Sequence, residues 1–353
     1  MKKIFRIITW AMLSIILQCS VLLYLDKVYF RHSSNFTTKV VENVDIDEDI
    51  NIEIPSTVDE NTISISNNGR YISYYDNDKL MIANTKDSTT KEVLTNQNMD
   101  ILFCKWVSYK NNILIGAEVV DDSVKLFVYN VRTDYKNDLV TLCSYSKNTT
   151  IDDIVSSRTG THYVSVSKEG VNSTIYRVDI NEDMSAVRYQ IPEFGGMKVF
   201  QYSDTLIYKD SLNENLYSYT SDNGGSLSNL NLANMEKYDL LYVDTNGNIY
   251  LGEKKDEKVI SILHGNKDND PSTWQTITLD KEKNIKDIYV DSEGKIYIND
   301  NLSGKVTNMD SKETISYEGK LIEITDNVIC SINDGKVALK QVTDVDKSKD
   351  SNK

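Results

Sequence analysis

After about residue 50, the sequence alternates between short apolar runs and short polar turns. The segment 286–318 shows this pattern most clearly, with runs at 286–291, 295–301, 305–310 and 313–318. Each run alternates apolar with polar residues or is rich in Ile, Val, Tyr and Thr, and each is followed by Gly, Asn, Asp or Ser. Half-buried antiparallel strands have this composition and these boundaries. The segment therefore predicts four consecutive strands.

Similar units recur along most of the chain. The second strand of each unit is predicted to begin at Tyr71, Asn112, His162, Thr205, Asn248, Lys295 and Val328. The intervals of about 33 to 50 residues are typical of four-stranded propeller blades. The repeats therefore predict an all-β fold, a seven-bladed β-propeller over residues 49–342, with six or eight blades as alternatives.

The seventh unit, Leu321–Val342, contains apolar runs for only three strands. A missing fourth strand would leave an exposed sheet edge, which soluble proteins avoid. The segment Asp49–Pro55, just before the first unit, alternates correctly for a strand, and its proline is tolerable at the end of an edge strand. We therefore expect this N-terminal segment to complete the last blade and close the ring.

The N-terminal region, residues 1–31, has the pattern of an uncleaved signal anchor. Residues 7–25 carry no charge and follow Lys2, Lys3 and Arg6. At about 1.5 Å per residue such a helix spans roughly 28 Å, close to the hydrocarbon thickness of a bilayer. The dense positive charge before it predicts a cytoplasmic N-terminus and an extracellular C-terminal domain. Lipid attachment at Cys19 is a weaker alternative, because bulky Gln18 occupies a position where a small residue is expected.

Two polar segments flank the repeats. Residues 32–48 are predicted to form an acidic stalk, and residues 343–353 a disordered polar tail. Asp45, Asp47 and Asp49 alternate like calcium ligands, but the glycine and the closing glutamate of an EF-hand loop are missing. A solvated linker is the preferred interpretation.

The composition restricts the possible partners and the redox chemistry. The formal net charge is -14, and a field of this sign repels phosphate backbones, so nucleic acid is not an expected partner. Cys104, Cys143 and Cys330 lie in predicted strands without the spacing of a zinc site or a disulfide framework. We interpret them as buried free thiols.

Two groups of segments resemble known propellers. Residues 66–75, Ser-Asn-Asn-Gly-Arg-Tyr-Ile-Ser-Tyr-Tyr, followed by 80–84, resemble blades of TolB-like and WD40-like propellers. Residues 242–251 and 289–298, with Val-Asp-x-x-Gly-x-Ile-Tyr, look like blades of the NHL and YVTN group. The resemblance implies a propeller but no particular ligand, because the matching residues are turn and core positions.

The search for catalytic chemistry finds no recognised set. The sequence has three histidines, no Gly-x-Ser-x-Gly elbow, no Walker loop and no Asp-box series. We therefore predict no cofactor and no metal.

The best candidate for binding is the polar stretch from His264 to Trp274, interpreted as the longest internal loop. Its candidate binding residues are His264, Asn266, Asp268, Asp270 and Trp274. The alternation at positions 266, 268 and 270 suggests calcium, but Pro271 and Ile277 occupy the positions of the required glycine and glutamate. Trp274 either contacts a ligand or begins an outer strand and packs between blades.

These observations leave two classes of function. The first is a membrane-anchored, non-catalytic binding or scaffolding module for a protein or a cell-wall glycan. The alternative is a propeller hydrolase or lyase that uses channel carboxylates. The sequence favours the first, and convergent buried acids with shifted pKa values at one end of the channel would favour the second.

Overall fold

The computed structural model describes residues 2–24, 50, 52–93, 100–168, 172–221, 225–230, 232 and 235–342. The chain divides into two units, Met1–Asp45 and Ile46–Lys353. In the first unit, helix α1 spans Lys2–Tyr24. Among the described residues, no helix is both long and apolar enough to cross a membrane, so the predicted span at 7–25 is not supported. The predicted stalk and tail lie outside the described residues.

In the second unit, the described strands form seven antiparallel sheets, in which neighbouring strands follow chain order. We call the sheets blades 1 to 7. Blade 1 contains β1 (Ser64–Ile65), β2 (Tyr71–Asp76), β3 (Lys79–Asn84) and β4 (Thr90–Glu92), and blade 2 contains β5 (Asp100–Trp106), β6 (Ile113–Val120), β7 (Ser123–Asn130) and β8 (Tyr135–Ser144). Blade 3 contains β9 (Thr150–Ser156), β10 (His162–Lys168), β11 (Asn172–Val178) and β12 (Met184–Ile191), and blade 4 contains β13 (Phe194–Val199), β14 (Thr205–Asp210), β15 (Asn215–Thr220) and β16 (Ser226–Leu230). Blade 5 contains β17 (Tyr238–Val243), β18 (Asn248–Lys255), β19 (Lys258–Asn266) and β20 (Gln275–Lys283), and blade 6 contains β21 (Ile288–Val290), β22 (Ile296–Asp300), β23 (Lys305–Asn308) and β24 (Thr314–Ser316). Blade 7 contains β25 (Lys320–Ile324), β26 (Val328–Asn333) and β27 (Lys336–Gln341).

The fold is the predicted seven-bladed β-propeller. The observed second strands, β2, β6, β10, β14, β18, β22 and β26, begin at the predicted residue or one residue after it. The strand starts could be predicted because the turns between strands are marked by Asn and Asp. In the tight hairpin between β2 and β3, for example, Asn77 (φ 49°) and Asp78 (φ 63°) both adopt positive φ. These residues tolerate the left-handed region, so they can replace the scarce glycine.

The ring closes through its own N-terminal segment, as predicted. Glu53 pairs antiparallel with Lys336 of β27. The amide of Ile54 donates to the carbonyl of Gly335 at 2.8 Å, and the amide of Val337 donates to the carbonyl of Ile52 at 3.0 Å. The two ends of the propeller domain are therefore joined in one blade.

The core lies between neighbouring blades rather than in one central cluster. Between blades 1 and 2, for example, Leu80 and Ile82 pack with Leu114 and Phe127. Trp106 joins the same cluster and is 7% exposed. Because strand residues alternate between the two faces of each blade, every blade buries one set of side chains on each side. The described cysteines, Cys104, Cys143 and Cys330, are free thiols, as predicted, but only Cys330 is buried, and Cys104 and Cys143 are partly exposed.

Candidate functional site

A cavity of about 250 Å³ lies where the first strands of the blades meet. All seven blades contribute lining residues, and most of these are at or just after the C-terminal ends of the first strands. The cavity is therefore at one end of the central channel, which we call the channel mouth. Its ionisable and aromatic polar lining consists of Lys105, Lys198, Tyr242, Tyr289, Glu323 and Asp326.

One side of the cavity carries a sequence of charges on successive blades. The ammonium of Lys105 (blade 2) forms an ion pair with Asp153 (blade 3) at 2.5 Å. On blade 4, Lys198 lines the cavity and has no hydrogen bond or ion pair with any described residue. Burial lowers the pKa of the Lys198 ammonium from its ordinary value of 10.5; Asp153 raises the pKa and Lys105 lowers it further. The fold thus places an unpaired cation in the channel.

The carboxylate of Glu323 links blade 7 to blade 1. Its Oε2 accepts a hydrogen bond from the amide of Ile65 and another from the hydroxyl of Ser64, each at 2.9 Å. Burial raises the pKa of Glu323, while these hydrogen bonds and Lys105 oppose the shift. Glu323 therefore serves as a partly buried structural acceptor across the junction where the ring closes.

Asp326 has a similar structural role at the mouth. Its Oδ1 accepts hydrogen bonds from the hydroxyl of Tyr289 at 2.9 Å and from the amide of Ser292 at 3.0 Å. Burial and, as the second cause, the negative charge of Asp326 raise the pKa of Tyr289 well above 10. The phenol therefore stays protonated and donates its hydrogen bond to Asp326. The interaction connects blade 7 to blade 6.

The rim of the mouth carries an exposed basic and aromatic cluster, Tyr109, Arg158 and Tyr202, which we call the rim cluster. The guanidinium of Arg158 lies 5.3 Å from the ring centroid of Tyr109 and 5.6 Å from that of Tyr202. The hydroxyl of Tyr109 donates to the carbonyl of Ser157 at 2.6 Å, and Tyr202 is 66% exposed. Cation–π contacts on two sides hold the arginine in place while leaving it accessible.

His162 is the first residue of β10 and pairs with Ser156 at the end of β9. Its Nδ1 is 2.7 Å from the hydroxyl oxygen of Ser156. Burial, together with the smaller effect of the nearby Lys110 charge, lowers the pKa of His162 to about 4. The imidazole is therefore neutral at physiological pH.

The structure corrects the boundaries of the predicted binding loop. His264 and Asn266 belong to β19, because the pairing with β18 continues through Tyr250–His264 and Asn248–Asn266. The ring of His264 stacks on Tyr250 with centroids 5.2 Å apart, and burial lowers the pKa of the imidazole. The connection to β20 contains only residues 267–274. It lies at the same end of the disc as the channel mouth, because the first and third strands of a blade run in the same direction.

The acidic and amide side chains of this loop shape the turn. The Oδ1 of Asn266 accepts from the amide of Asp268 at 3.0 Å, and Asp268 forms an ion pair with Lys267 at 2.6 Å. Asp270 caps the short helix Pro271–Thr273 by accepting from the amide of Ser272, and this hydrogen bonding lowers the pKa of Asp270. Across the described residues, no group of three or more His, Cys, Asp or Glu side chains is placed to hold a metal ion.

Trp274 occupies the packing position that the sequence left as one alternative. It directly precedes the outer strand β20, is 8% exposed, and packs with Leu216 and Tyr238 between blades 4 and 5. A Cβ at Gly265 would collide with its indole ring. The tryptophan is thus part of the core rather than of the exposed surface.

Fold and cavity together define a seven-bladed β-propeller with a polar channel mouth, closed by its N-terminal segment. No protein-family model matches the sequence, and no curated protein matches it. Among solved structures, a chain of the mitotic checkpoint complex is 10% identical, with a TM-score of 0.56 and coverage of 83% of this chain and 93% of that chain. An oligogalacturonate lyase in complex with manganese is 10% identical, with a TM-score of 0.54 and coverage of 78% and 86%.

TolB from Acinetobacter baumannii is 12% identical, with a TM-score of 0.44 and coverage of 71% of this chain and 61% of that chain. At these identities the similarities show the fold alone. The propeller fold that the sequence resemblance implies is confirmed by the seven blades. It assigns neither a ligand nor a reaction to this chain.

Sequence reasoning missed the channel residues, although the sequence contains a signal for them. Lys105 and Lys198 each stand near the end of an otherwise apolar first strand, in Phe-Cys-Lys-Trp-Val and Met-Lys-Val-Phe. Glu323 stands in Leu-Ile-Glu-Ile in the same position of blade 7. A charge at an apolar position of an inner strand indicates a residue that faces the channel.

Proposed function

We propose that this protein is a non-catalytic binding module, and that a partner protein docks on its channel-mouth face. The observation that carries the proposal is the exposed rim cluster, in which Arg158 lies between the rings of Tyr109 and Tyr202. Tyr and Arg are enriched among the residues that dominate the energy of protein interfaces. An arginine already held by two rings loses less conformational entropy when it binds.

The residues 267–270 extend this surface on blade 5. Their loop contacts the neighbouring turn, where the amide of Lys267 donates to the carbonyl of Gly247 at 3.1 Å. Asp268 keeps a 75% exposed side chain beside Lys267. The loop therefore presents both signs of charge at the same end of the disc as Arg158, and we propose that it forms part of the interface.

Binding has more support than catalysis because both carboxylates that line the cavity make structural hydrogen bonds. Glu323 accepts from Ser64 and Ile65, and Asp326 accepts from Tyr289 and Ser292. A general acid or nucleophile needs a free face toward its substrate. The raised pKa of Glu323 is the observation that favours the hydrolase or lyase alternative, and its hydrogen bonds across the closure junction explain the same burial.

We further propose that the N-terminal segment holds the propeller at the outer side of a cell membrane. The support is the uncharged run of residues 7–25 behind Lys2, Lys3 and Arg6. In α1, large apolar side chains such as Trp10 (73%) and Leu17 (68%) are exposed. Alkaline carbonate extraction of membranes and protease treatment of intact cells test this proposal. Release by carbonate, or full protection of the propeller from protease, would contradict it.

Site-specific photo-crosslinking tests the proposed interface. A benzophenone amino acid replaces Tyr202 in the full chain, and a matched variant carries it at Leu302, which is 101% exposed in a turn at the opposite end of blade 6. We expect a discrete protein adduct from position 202, lost on Arg158→Ala, and none from position 302. Equal adducts from both positions would refute the interface. Co-sedimentation with purified cell-wall glycan and no protein adduct would instead identify a glycan partner.

A further inference from the structure

One side of the channel mouth carries positive charge that no described residue neutralises. Lys110 and Arg158 are both exposed, and their cationic groups lie 5.7 Å and 5.3 Å from the ring centroid of Tyr109. Neither side chain forms a hydrogen bond or an ion pair within the part of the chain that the structure describes. Blades 2 and 3 therefore present two free cations beside one aromatic ring, and we call them the basic side of the mouth.

Carboxylates on the neighbouring inner strands and turns already have partners. Asp153 of β9 forms its ion pair with Lys105 of β5. Asp204 lies in the same turn as Tyr202, and it accepts a hydrogen bond from the Nε of Arg177 at 2.9 Å. These carboxylates are therefore engaged elsewhere, and the basic side keeps its charge.

The opposite side of the mouth, on blades 5 to 7, is negative. Burial, followed by the charges of Asp326, Asp291 and Asp244, raises the pKa of Tyr242, whereas the charge of Arg158 lowers it. Each of the three carboxylates accepts a hydrogen bond from a backbone amide, and none forms an ion pair with a described residue. Tyr242 is thus within electrostatic reach of both sides, and the mouth is divided into a basic and an acidic side.

This division indicates the chemistry of the partner. We propose that the partner protein, whose docking on this face is the proposed function, places an acidic side chain on the basic side of the mouth. Its carboxylate accepts two parallel hydrogen bonds from the guanidinium of Arg158, the geometry in which arginine binds carboxylates most strongly. The rings of Tyr109 and Tyr202 already hold the guanidinium, so little side-chain freedom is lost on binding.

The charge of the rest of the chain limits how acidic the partner can be. The formal net charge is -14, and the carboxylates of blades 5 to 7 lie on the far side of the mouth. A polyanion that extends across the mouth would meet these carboxylates, and like charges that meet in an interface oppose binding. A protein segment with a few acidic residues among neutral ones therefore fits this surface better than an anionic glycan.

Short peptides test this chemistry on the full chain. The first probe is a blocked peptide of alternating glycine and glutamate, and two matched probes carry glutamine or lysine in place of glutamate. Calorimetry is done at physiological ionic strength, where charges farther apart than about 8 Å are screened and contact pairs persist. We expect the glutamate peptide to bind and the other two not to bind. The glutamate peptide should also suppress the protein adduct from the photo-crosslinker at position 202.

Substitutions assign the contact to Arg158. Arg158→Gln should weaken binding of the glutamate peptide at least about tenfold, because it removes charge-assisted hydrogen bonds. Arg158→Lys keeps the charge without the planar fork, so it should recover only part of the affinity. Tyr202→Phe keeps the ring and should bind as the wild type does. Arg132→Gln, at an exposed position in the turn after β7 at the same end of the disc, removes the same charge and should leave binding unchanged.

The interface and its acidic contact fail in distinguishable ways. Absence of a protein adduct from position 202 would refute the interface itself. An adduct that persists while the glutamate peptide neither binds nor competes would refute the acidic contact and leave the interface standing. Equal loss of binding in Arg158→Gln and Arg132→Gln would also refute the contact, because it would show attraction by net charge alone. Stronger competition by alginate, an anionic glycan, than by the peptide would identify a glycan partner instead.

Discussion

Loss of the closing strand should open blade 7 and expose Cys330. Ile52 and Ile54 are 3% and 7% exposed, and both pack in the cluster that contains Cys330, which is fully buried. Burial raises the pKa of the Cys330 thiol, so in the native protein it should react slowly with alkylating reagents. The perturbation is the double substitution Ile52→Ala and Ile54→Ala in the full chain.

The expected magnitude follows from the buried side chains. A buried Ile→Ala substitution costs about 2–5 kcal/mol, so the pair should weaken the closure by roughly 4 kcal/mol or more. In the wild type and the variant alike, the two backbone hydrogen bonds of this segment stabilise the closed state by about 0.5–1.5 kcal/mol each, and they break if the strand detaches. Domains are stable by roughly 5–15 kcal/mol, so the loss is a large part of the total. At 1.4 kcal/mol per factor of ten, opening should become about a thousandfold more frequent.

Alkylation with iodoacetamide, followed by peptide mass spectrometry, measures the opening at each cysteine. The labelling rate of Cys330 should rise steeply in the double variant. That of Cys143, in blade 2, should change little in mild conditions. Leu302→Ala, at an exposed position, is the control and should alter the free energy of unfolding by no more than about 0.5 kcal/mol. If the double variant labels at Cys330 and unfolds as the wild type does, the closure does not stabilise the ring.

The other predictions concern protonation, packing and the unpaired cation. The pKa of His162 is about 4 in the folded protein, whereas its ordinary value is 6.5. Between these two pH values the unfolded chain binds more protons than the folded protein. The free energy of unfolding should therefore fall by up to about 3 kcal/mol as the pH drops from 6.5 to 4. Urea unfolding across this range checks it, and a His162→Gln variant with the same pH slope would contradict it. Gly265→Ala should lower stability by about 1–3 kcal/mol, because its Cβ collides with Trp274; an unchanged melting temperature would show that the indole is free to move. Since the folded pKa of Lys198 lies below 10.5, the destabilisation that it causes is present at neutral pH and disappears as the pH rises toward 10.5. The stability difference between Lys198→Met and the wild type should therefore shrink with rising pH, and a constant difference from pH 7 to 10 would contradict this.

The sequence by itself determined the architecture of the propeller, because that information is local. The Ile- and Tyr-rich runs of β2 and β22 specify strands, and the paired turn residues Asn77 and Asp78 specify a tight hairpin. Repetition of this unit set the number of blades. The orphan segment around Ile52 and Ile54 predicted the closure, since it has the pattern of a strand and the last blade lacks one.

Only the tertiary structure decided where the chemistry lies. Lys105, Lys198, Tyr242 and Glu323 are at least about 40 residues apart in sequence and meet because each stands near the end of the first strand of a different blade. Their separate local patterns do not show which of them is paired, since Asp153 binds Lys105 and Lys198 has no ion pair or hydrogen bond within the part of the chain that the structure describes. Polarity and spacing likewise suggested an exposed loop that begins at His264. Continued pairing with β18 keeps that histidine in a strand, and packing between blades 4 and 5 buries Trp274. Strand pattern is a property of neighbours in sequence, whereas pairing and burial depend on neighbours in space.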